Sequence, residues 1–362
     1  MTLTTVNPAL LDTQAQYTGF KNRIINGAMV IDQRNAGASV TITNTSTATY
    51  TLDRWQAYGS AASKFSVQQN AAAVTPPAGF KNYLGVTSLA ATSIGSGDQY
   101  YVGQYIEGYN VADMGFGAAG ASTFTISFWA RSSLTGTFGG SVANSAFNRS
   151  YPFTYTISAA NTWEQKTVTI AGDTTGTWLV TNGTGLQVNF GLGVGATISG
   201  TANAWAAAAY VSATGATSVV GTSGATFYIT GVQLEKGSTA TAFDYRPYGT
   251  ELALCQRYYQ TSYFGSAVGS ITTTGQLLYT CCATFGYNGP TFTFQTPMRA
   301  TATVTSYSPS TGASGKLKES TVGNDVTVAV NNGTWSGQIY VNNSSTVAGT
   351  NLTMHYTASA EL

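Results

Sequence analysis

Charge is scarce in this chain. Of 362 residues only 15 are Lys or Arg and 14 are Asp or Glu, 8% in all, and the formal net charge is +1. Ordinary soluble domains carry roughly 25%. A nucleic-acid partner needs a basic stripe that displaces counterions from phosphates, and so few cations cannot build one. Histidine is scarcer still, with His355 alone. An imidazole mechanism would have to pass through that one residue. It alternates with Met354 and Tyr356, on the same polar face as Asn351 and Thr353, so a solvated strand histidine is expected. The three cysteines are an odd number, and Cys281 and Cys282 are adjacent, which suits neither a disulfide framework nor a spaced zinc-ligand set. Cys255 reads as a small buried hydrophobe, in a chain made in a reducing cytoplasm. No run approaches the roughly 20 apolar residues of a membrane span; AWAAAAYV (Ala204–Val211) is short and alanine-rich. The opening MTLTTVNPALLDTQ lacks the basic head and apolar middle of a secretory signal. No phosphate-binding glycine loop, G-x-S-x-G elbow or EF-hand loop occurs, so no cofactor is expected.

What stands in place of charge is Thr, Ser, Asn, Gln and Gly over an aromatic interior. The 43% apolar content, with 6 Trp, 22 Tyr and 16 Phe, excludes disorder. Alternation at period two recurs: Phe124, Ile126 and Phe128 in TFTISFWAR; Val168 and Ile170; Leu186, Val188, Phe190 and Leu192; Phe227 and Ile229, with Gly231 breaking the run as a bulge would. It continues in Phe292 and Phe294, in Val326, Val328 and Val330, in Ile339 and Val341, and in Leu352, Met354 and Tyr356. Links rich in Gly, Asn and Ser separate these runs, the pattern of β-sandwiches or barrels. Helical signals are two. NPALLDTQ offers Asn7 and Pro8 as an entry. TELALCQRYY offers Thr250 as cap, Glu251 at the positive end, and Leu252, Cys255 and Tyr259 on one stripe. A domain boundary is expected after Gly249. Fixed-period repeats and heptads are absent from the sequence.

Three blocks resemble the structural proteins of tailed bacteriophages, chiefly tail-fibre and capsid-fibre proteins. They are FKNRIINGAMVIDQRNAG (Phe20–Gly37) with YTLDRWQ (Tyr50–Gln56); TFTISFWARSSLTGTFGGSVAN with YPFTYTISAANTWEQKTVTIAGDTTGTW downstream; and GVQLEKGSTATAFDYRPYGTELALCQRYYQ (Gly231–Gln260). The ending HYTASAEL is similar to the terminal strand of such proteins. The resemblance implies a jelly-roll domain similar to carbohydrate-binding modules, carried on a virion, in a homo-oligomer that is commonly a trimer. Jelly rolls of this type often bind a calcium ion, but no acid cluster here identifies its ligands, and no metal site is assigned. The expected architecture is all-β. An N-terminal docking arm (1–19) meets other virion proteins, a jelly-roll sandwich spans 20–249, a linking helix 250–264, and a smaller C-terminal β-domain 265–362.

Within the first and third blocks, Ile24, Ile25, Met29 and Ile31 read as core and Asn26-Gly27 as a hairpin-type turn. The scarce charges Asp32, Arg34, Asp53 and Arg54 are expected to be paired, since an unpaired buried charge is very costly. Glu235, Lys236, Asp244, Arg246 and Arg257 read as a brace holding the helix against the sandwich. Glycan cleavage would need two carboxylates at a set separation, one with a raised pKa, and no two acids share a diagnostic spacing on one strand, so no catalytic residue is assigned. Sugar binding needs only an exposed aromatic face with amide or hydroxyl partners. Tyr287 in GYNGP, Tyr307 in TSYSPSTG and Trp335 in NNGTWSG offer such faces, the last flanked by Asn331, Asn332 and Ser336. The competing reading is that these rings pack on neighbouring loops or subunits. Trp129, Trp163 and Trp178 read as core. The expected function is a non-enzymatic virion protein, a short tail fibre or similar appendage contacting host surface polysaccharide. The alternatives are a capsid or baseplate component bridging virion proteins, and a polysaccharide depolymerase.

Overall fold

The computed structural model describes residues 20–263, 265–280, 287–319, 325–327, 329–331, 333–341 and 349–362. The first 14 strands run β1 (Val40–Thr41), β2 (Thr49–Tyr50), β3 (Gln56–Gly59), β4 (Phe65–Gln69), β5 (Leu84–Ser88), β6 (Gln99–Glu107), β7 (Phe124–Ser132), β8 (Gly136–Ala143), β9 (Ser150–Ile157), β10 (Glu164–Ile170), β11 (Thr184–Val194), β12 (Ser199–Gly200), β13 (Ser212–Ala213) and β14 (Thr226–Lys236). Two six-stranded sheets result, ordered β1-β4-β5-β14-β7-β10 and β2-β3-β6-β11-β8-β9. They face each other as a jelly-roll sandwich. The chain crosses repeatedly from one sheet to the other, and every ladder within them is antiparallel. Alternation is the cause: Phe124, Ile126 and Phe128 of β7 meet Val188, Phe190 and Leu192 of β11 in one core with Trp55, Phe65, Phe138 and Phe227. Each such ring buried contributes about 1.5–3 kcal/mol. Gly231 (φ +60°) sits where the β14–β7 register shifts, and Phe80 packs against its bare Cα.

One helix, α1 (Tyr248–Gln256), follows. Its entry differs from expectation: Pro247, fixed in an extended conformation, precedes the first turn, and Thr250 makes no cap because it lies inside the helix. The helix stops at Gln256, so Tyr259 belongs to the next strand rather than to the helical stripe, while Cys255 is buried against Ile25, Ile31 and Tyr258. The strands of the last hundred residues are β15 (Tyr259–Thr261), β16 (Leu277–Thr280), β17 (Tyr287–Thr293), β18 (Thr303–Tyr307), β19 (Lys316–Glu319), β20 (Asp325–Thr327), β21 (Ala329–Asn331), β22 (Ser336–Val341) and β23 (Asn351–Ser359). β23 is the hub, pairing with β15, β16, β18 and β19. Its even-numbered side chains, Leu352, Met354 and Tyr356, join Phe292, Phe294 and Leu317 in a second core.

The scarce charges fasten these parts together. Glu361, beyond β23, pairs with Arg34 at 2.7 Å and with Arg54, and the Tyr50 hydroxyl donates to the Leu362 carbonyl. Asp53 accepts from the Gln33 amide nitrogen and side chain at 2.7 and 2.6 Å. The expected pairing of Arg34 and Arg54 is thus met from the far end of the chain. The brace runs through Arg246–Glu251 (3.1 Å) and Arg257–Glu107 (2.6 Å). Asn26-Gly27 is no hairpin: Asn26 is buried, its amide donates to Ile31 and Asp53 carbonyls, and Gly27 lies against the Val232 carbonyl. The segment NPALLDTQ, the 1–19 arm, Cys281 and Cys282 lie outside the described residues.

Candidate functional site

The aromatic residues singled out from the sequence occupy three separate places. Trp335 stands just before β22 with 68% of its surface exposed, its carbonyl accepting from the Phe294 amide. Tyr287 pairs with Val341 at the opposite end of the β17–β22 ladder, and its side chain lies outside what is described. Tyr307 ends β18, half-buried, edge-on to Tyr263 with ring centroids 6.0 Å apart. Asn332 lies outside the described residues. Of the three tryptophans read as core, Trp178 is buried, whereas Trp129 and Trp163 are half-buried.

His355 corrects the expectation of a solvated residue. It does share a face of β23 with Thr353, but the chain after β15 folds over that face and buries it completely. Its ring stacks on Tyr263 at 4.1 Å between centroids. Nδ1 meets the Ser262 hydroxyl at 3.0 Å and Nε2 the Thr272 carbonyl at 2.9 Å. A carbonyl can only accept, so the proton sits on Nε2 and Nδ1 accepts. Burial pushes the imidazole pKa down. With no carboxylate among these partners, the residue is a structural pin for the Thr272 segment.

A different surface assembles the chemistry that sugar binding needs. On the sheet β2-β3-β6-β11-β8-β9 the outward positions are set by alternation with the core residues Ala57, Val102, Val188, Phe190 and Val142. One row across the strands is Gln56, Gly103, Asn189 and Ser141. The next is Tyr58, Tyr101 and Gly191, with Gly139 beside it on β8. Neither row carries a charge. The Tyr58 and Tyr101 rings stack at 5.7 Å and 24°, and Tyr105 stands half-buried further along the same strand as Tyr101. Burial and the neighbouring phenol of Tyr105 push the Tyr101 hydroxyl pKa up, so that phenol is a neutral donor at any physiological pH.

Glycine at 139 and 191 lets β13 come down onto the sheet. A Cβ at Gly139 would lie 2.4 Å from Ser212 Oγ, and one at Gly191 2.8 Å from the same atom. The Ser212 hydroxyl is therefore held over the sheet beside Asn189. Among the described residues, Gln56 Nε2, Asn189 Oδ1 and Ser212 Oγ are buried and make no hydrogen bond. Such groups cost about 1–3 kcal/mol each when unmet, and here a donor, an acceptor and a hydroxyl lie buried on the outward side of one sheet, beside its tyrosines. From Gln56 to Asn189 is two strand spacings, about 10 Å. The sequence shows Gln56 and Asn189 as polar positions in alternating runs, but only the strand order β3-β6-β11 sets them in one row.

No family model matches the chain, and no curated protein matches it. Solved structures that share part of its course include the enzymatically active domain of bacteriophage CBA120 tailspike protein 4 (13% identity, TM-score 0.29, 60% of this chain and 21% of that one). A CBM4 structure gives 16% identity and a TM-score of 0.28 over 51% of this chain and 95% of that one. The family 11 carbohydrate-binding module of Clostridium thermocellum, in complex with a mixed-linked tetrasaccharide, gives 10% and 0.29 over 56% and 98%. The chain thus spans about a fifth of the tailspike domain's length. The jelly-roll assignment rests on the two six-stranded sheets themselves.

Proposed function

We propose that this chain is a non-enzymatic glycan-binding protein of a bacteriophage virion, a short tail fibre or fibre-like appendage that holds host surface polysaccharide. The observation that carries the glycan reading is the uncharged outward side of the β2-β3-β6-β11-β8-β9 sheet. There the stacked Tyr58 and Tyr101 rings lie over buried Gln56, Asn189 and Ser212, each with a polar atom that has no protein partner among the described residues. Sugars offer matching chemistry: hydroxyls for the amides and C–H faces for the rings. The virion role rests on the resemblance of the Phe20–Gln260 blocks to fibre proteins. The non-enzymatic reading is supported by three of the buried acids, Glu107, Asp173 and Glu251, which each face a guanidinium, at 2.6, 2.6 and 3.1 Å. A carboxylate so held is a poor general acid, because the adjacent cation favours its ionised form. Copies in a homo-oligomer, a trimer by the habit of fibres, would multiply weak sites by roughly 10²–10⁴ in avidity.

The test is a pull-down of purified full-length protein on host cells and envelope polysaccharide, beside a Tyr58→Ala/Asn189→Ala variant and a Trp335→Ala variant. Binding by wild type that is lost in the double variant, with its thermal midpoint retained, is expected. It should change little between low and moderate salt, since neutral hydrogen bonds and stacking are not screened. Undiminished binding by the double variant removes the sheet-face site, and loss in Trp335→Ala instead moves the site to the β22 hairpin. Release of reducing ends from the polysaccharide overturns the non-enzymatic reading in favour of a depolymerase.

A further inference from the structure

We infer that a second cleft, in the β23-centred part of the chain, binds a saccharide carrying a carboxylate. The cleft has a volume of about 390 Å³, within the ordinary range for small-ligand sites. Two of its walls are apolar: Ile271, 71% exposed, and Pro309. Hydroxyls of Thr273, Ser310 and Thr353 and the amide of Gln276 supply neutral hydrogen-bonding groups. Lys318 supplies the only charge in the lining.

The placement of that lysine follows from register. Lys318 pairs across the ladder with Thr353 of β23, and since Leu317 faces the core, Lys318 and Thr353 share the outward face. Its other cross-strand neighbour is Asp325, whose carboxylate is already engaged: Ser308 Oγ donates to Oδ1 at 2.5 Å, Ser310 Oγ to the same oxygen at 3.5 Å, and Thr311 to Oδ2. Among the described residues no carboxylate lies within ion-pair distance of the Lys318 ammonium. Unlike Arg34, Arg54, Arg149, Arg246 and Arg257, which are tied to acids, half-buried Lys318 keeps its charge free for a ligand in the cleft.

The opposite wall is fixed. Thr272, between Ile271 and Thr273, is pinned through its carbonyl by Nε2 of the buried His355. Walls held in place before binding reduce the ordering cost of capture. A hexuronic or other carboxylated sugar fits this set: its carboxylate meets Lys318, its hydroxyls meet Thr273, Gln276, Ser310 and Thr353, and its C–H face lies on Ile271 and Pro309. The inference takes its ligand class from the glycan-binding reading above but uses different residues, so the two fail separately.

The experiment measures binding of the full chain to oligomers of a hexuronic acid and to the same oligomers after carboxyl reduction, at low and moderate salt. Wild type should prefer the acidic oligomer by about five- to ten-fold, as one charge-assisted contact at a half-buried site supports. The preference should shrink as salt rises. Lys318→Gln should abolish it while leaving neutral-oligomer binding unchanged, and Lys318→Arg should restore it. Thr353→Val should weaken both ligands, independently of the lysine. Equal binding of the two oligomers by wild type overturns the inference, as does a preference that survives Lys318→Gln. Should Lys318→Gln fail to fold, judged by its thermal midpoint, the Arg variant and the wild-type salt titration still decide. An acid preference that vanishes in Tyr58→Ala/Asn189→Ala instead of in Lys318→Gln overturns the cleft and leaves the sheet face. An acid preference intact in that double variant, with neutral-glycan binding weakened but not abolished, supports both sites.

Discussion

Arg257 and Glu107 should respond to mutation unequally. The Glu107 carboxylate is 1% exposed and accepts three charge-assisted hydrogen bonds: from Arg257 Nε at 2.9 Å, Arg257 Nη2 at 2.6 Å and the Tyr258 hydroxyl at 2.6 Å. The guanidinium, by contrast, is 34% exposed. Arg257→Leu leaves an anion buried at the end of β6 with one phenol to hold it. Breaking a fully buried pair from one side costs about 3–5 kcal/mol, and the lower end applies because water can follow the vacated guanidinium path. Glu107→Gln leaves an acceptor for Tyr258 and a guanidinium that water already reaches, a loss of about 1 kcal/mol. Urea is the denaturant of choice, since guanidinium would itself screen the pair. At a slope near 3 kcal/mol/M the Arg257→Leu midpoint should fall by about 1 M and the Glu107→Gln midpoint by about a third of that. The double variant should resemble Glu107→Gln alone, because the orphaned charge is then gone. A Glu107→Gln cost equal to or above that of Arg257→Leu, or strict additivity in the cycle, would refute the assignment of the penalty to the buried anion.

Burial lowers the His355 pKa from its ordinary 6.5, so the folded chain takes up fewer protons than the unfolded chain as pH falls through that value. Stability present above 6.5 is therefore lost on acidification toward the folded pKa. The thermal midpoint of wild type should drop between pH 7 and 5 more than that of His355→Gln, and parallel profiles would count against the pinned imidazole. Asp32 and Asp53, whose pKa values burial raises, act in the opposite sense, which is why the difference between the two profiles is the quantity to read. Gly231→Ala should destabilise by about 1–3 kcal/mol, because the residue holds φ +60° and its new Cβ would lie 2.6 Å from the Phe80 ring. A urea midpoint unchanged in that variant would show that Phe80 can yield. Trp335→Ala should shift stability by less than about 0.5 kcal/mol, since so exposed a ring has little burial to lose; a larger loss by thermal melt would mean that the indole packs on a neighbour.

The sandwich is legible in the sequence for a plain physical reason. Every long strand alternates, and a side chain's face in a strand depends only on whether its position is odd or even. Phe124, Ile126 and Phe128, or Leu186, Val188 and Phe190, declare their direction without knowledge of their partners. The break at Gly231 is legible on the same ground. His355 is not, because its face is right and its environment is set by residues 83 and 93 positions away that fold back across it. Pairing of Arg34 and Arg54 could be foreseen from cost alone, while the partner could not: nothing local to them points to Glu361. Among the described residues, Asp32 and Asp53 are held by hydrogen bonds from Asn35, Gly37 and Gln33 rather than by ion pairs.

The same distinction separates Trp335 from the sheet face as places where glycan chemistry can be argued. Trp335 draws notice in the sequence because an aromatic among Asn, Gly and Ser is locally odd. The sheet face draws none, because Gln56, Asn189 and Ser212 are ordinary polar residues at ordinary positions, and their convergence is created by strand order and by glycines that let β13 descend. A surface assembled in this way has a mechanical consequence. Its polar atoms are held by backbone ladders on β3, β11 and β13 rather than by mobile loops, so capture of a neutral ligand there needs little reordering of the protein. Binding there should accordingly hold as ionic strength rises, because rigid neutral groups are not screened as charged ones are.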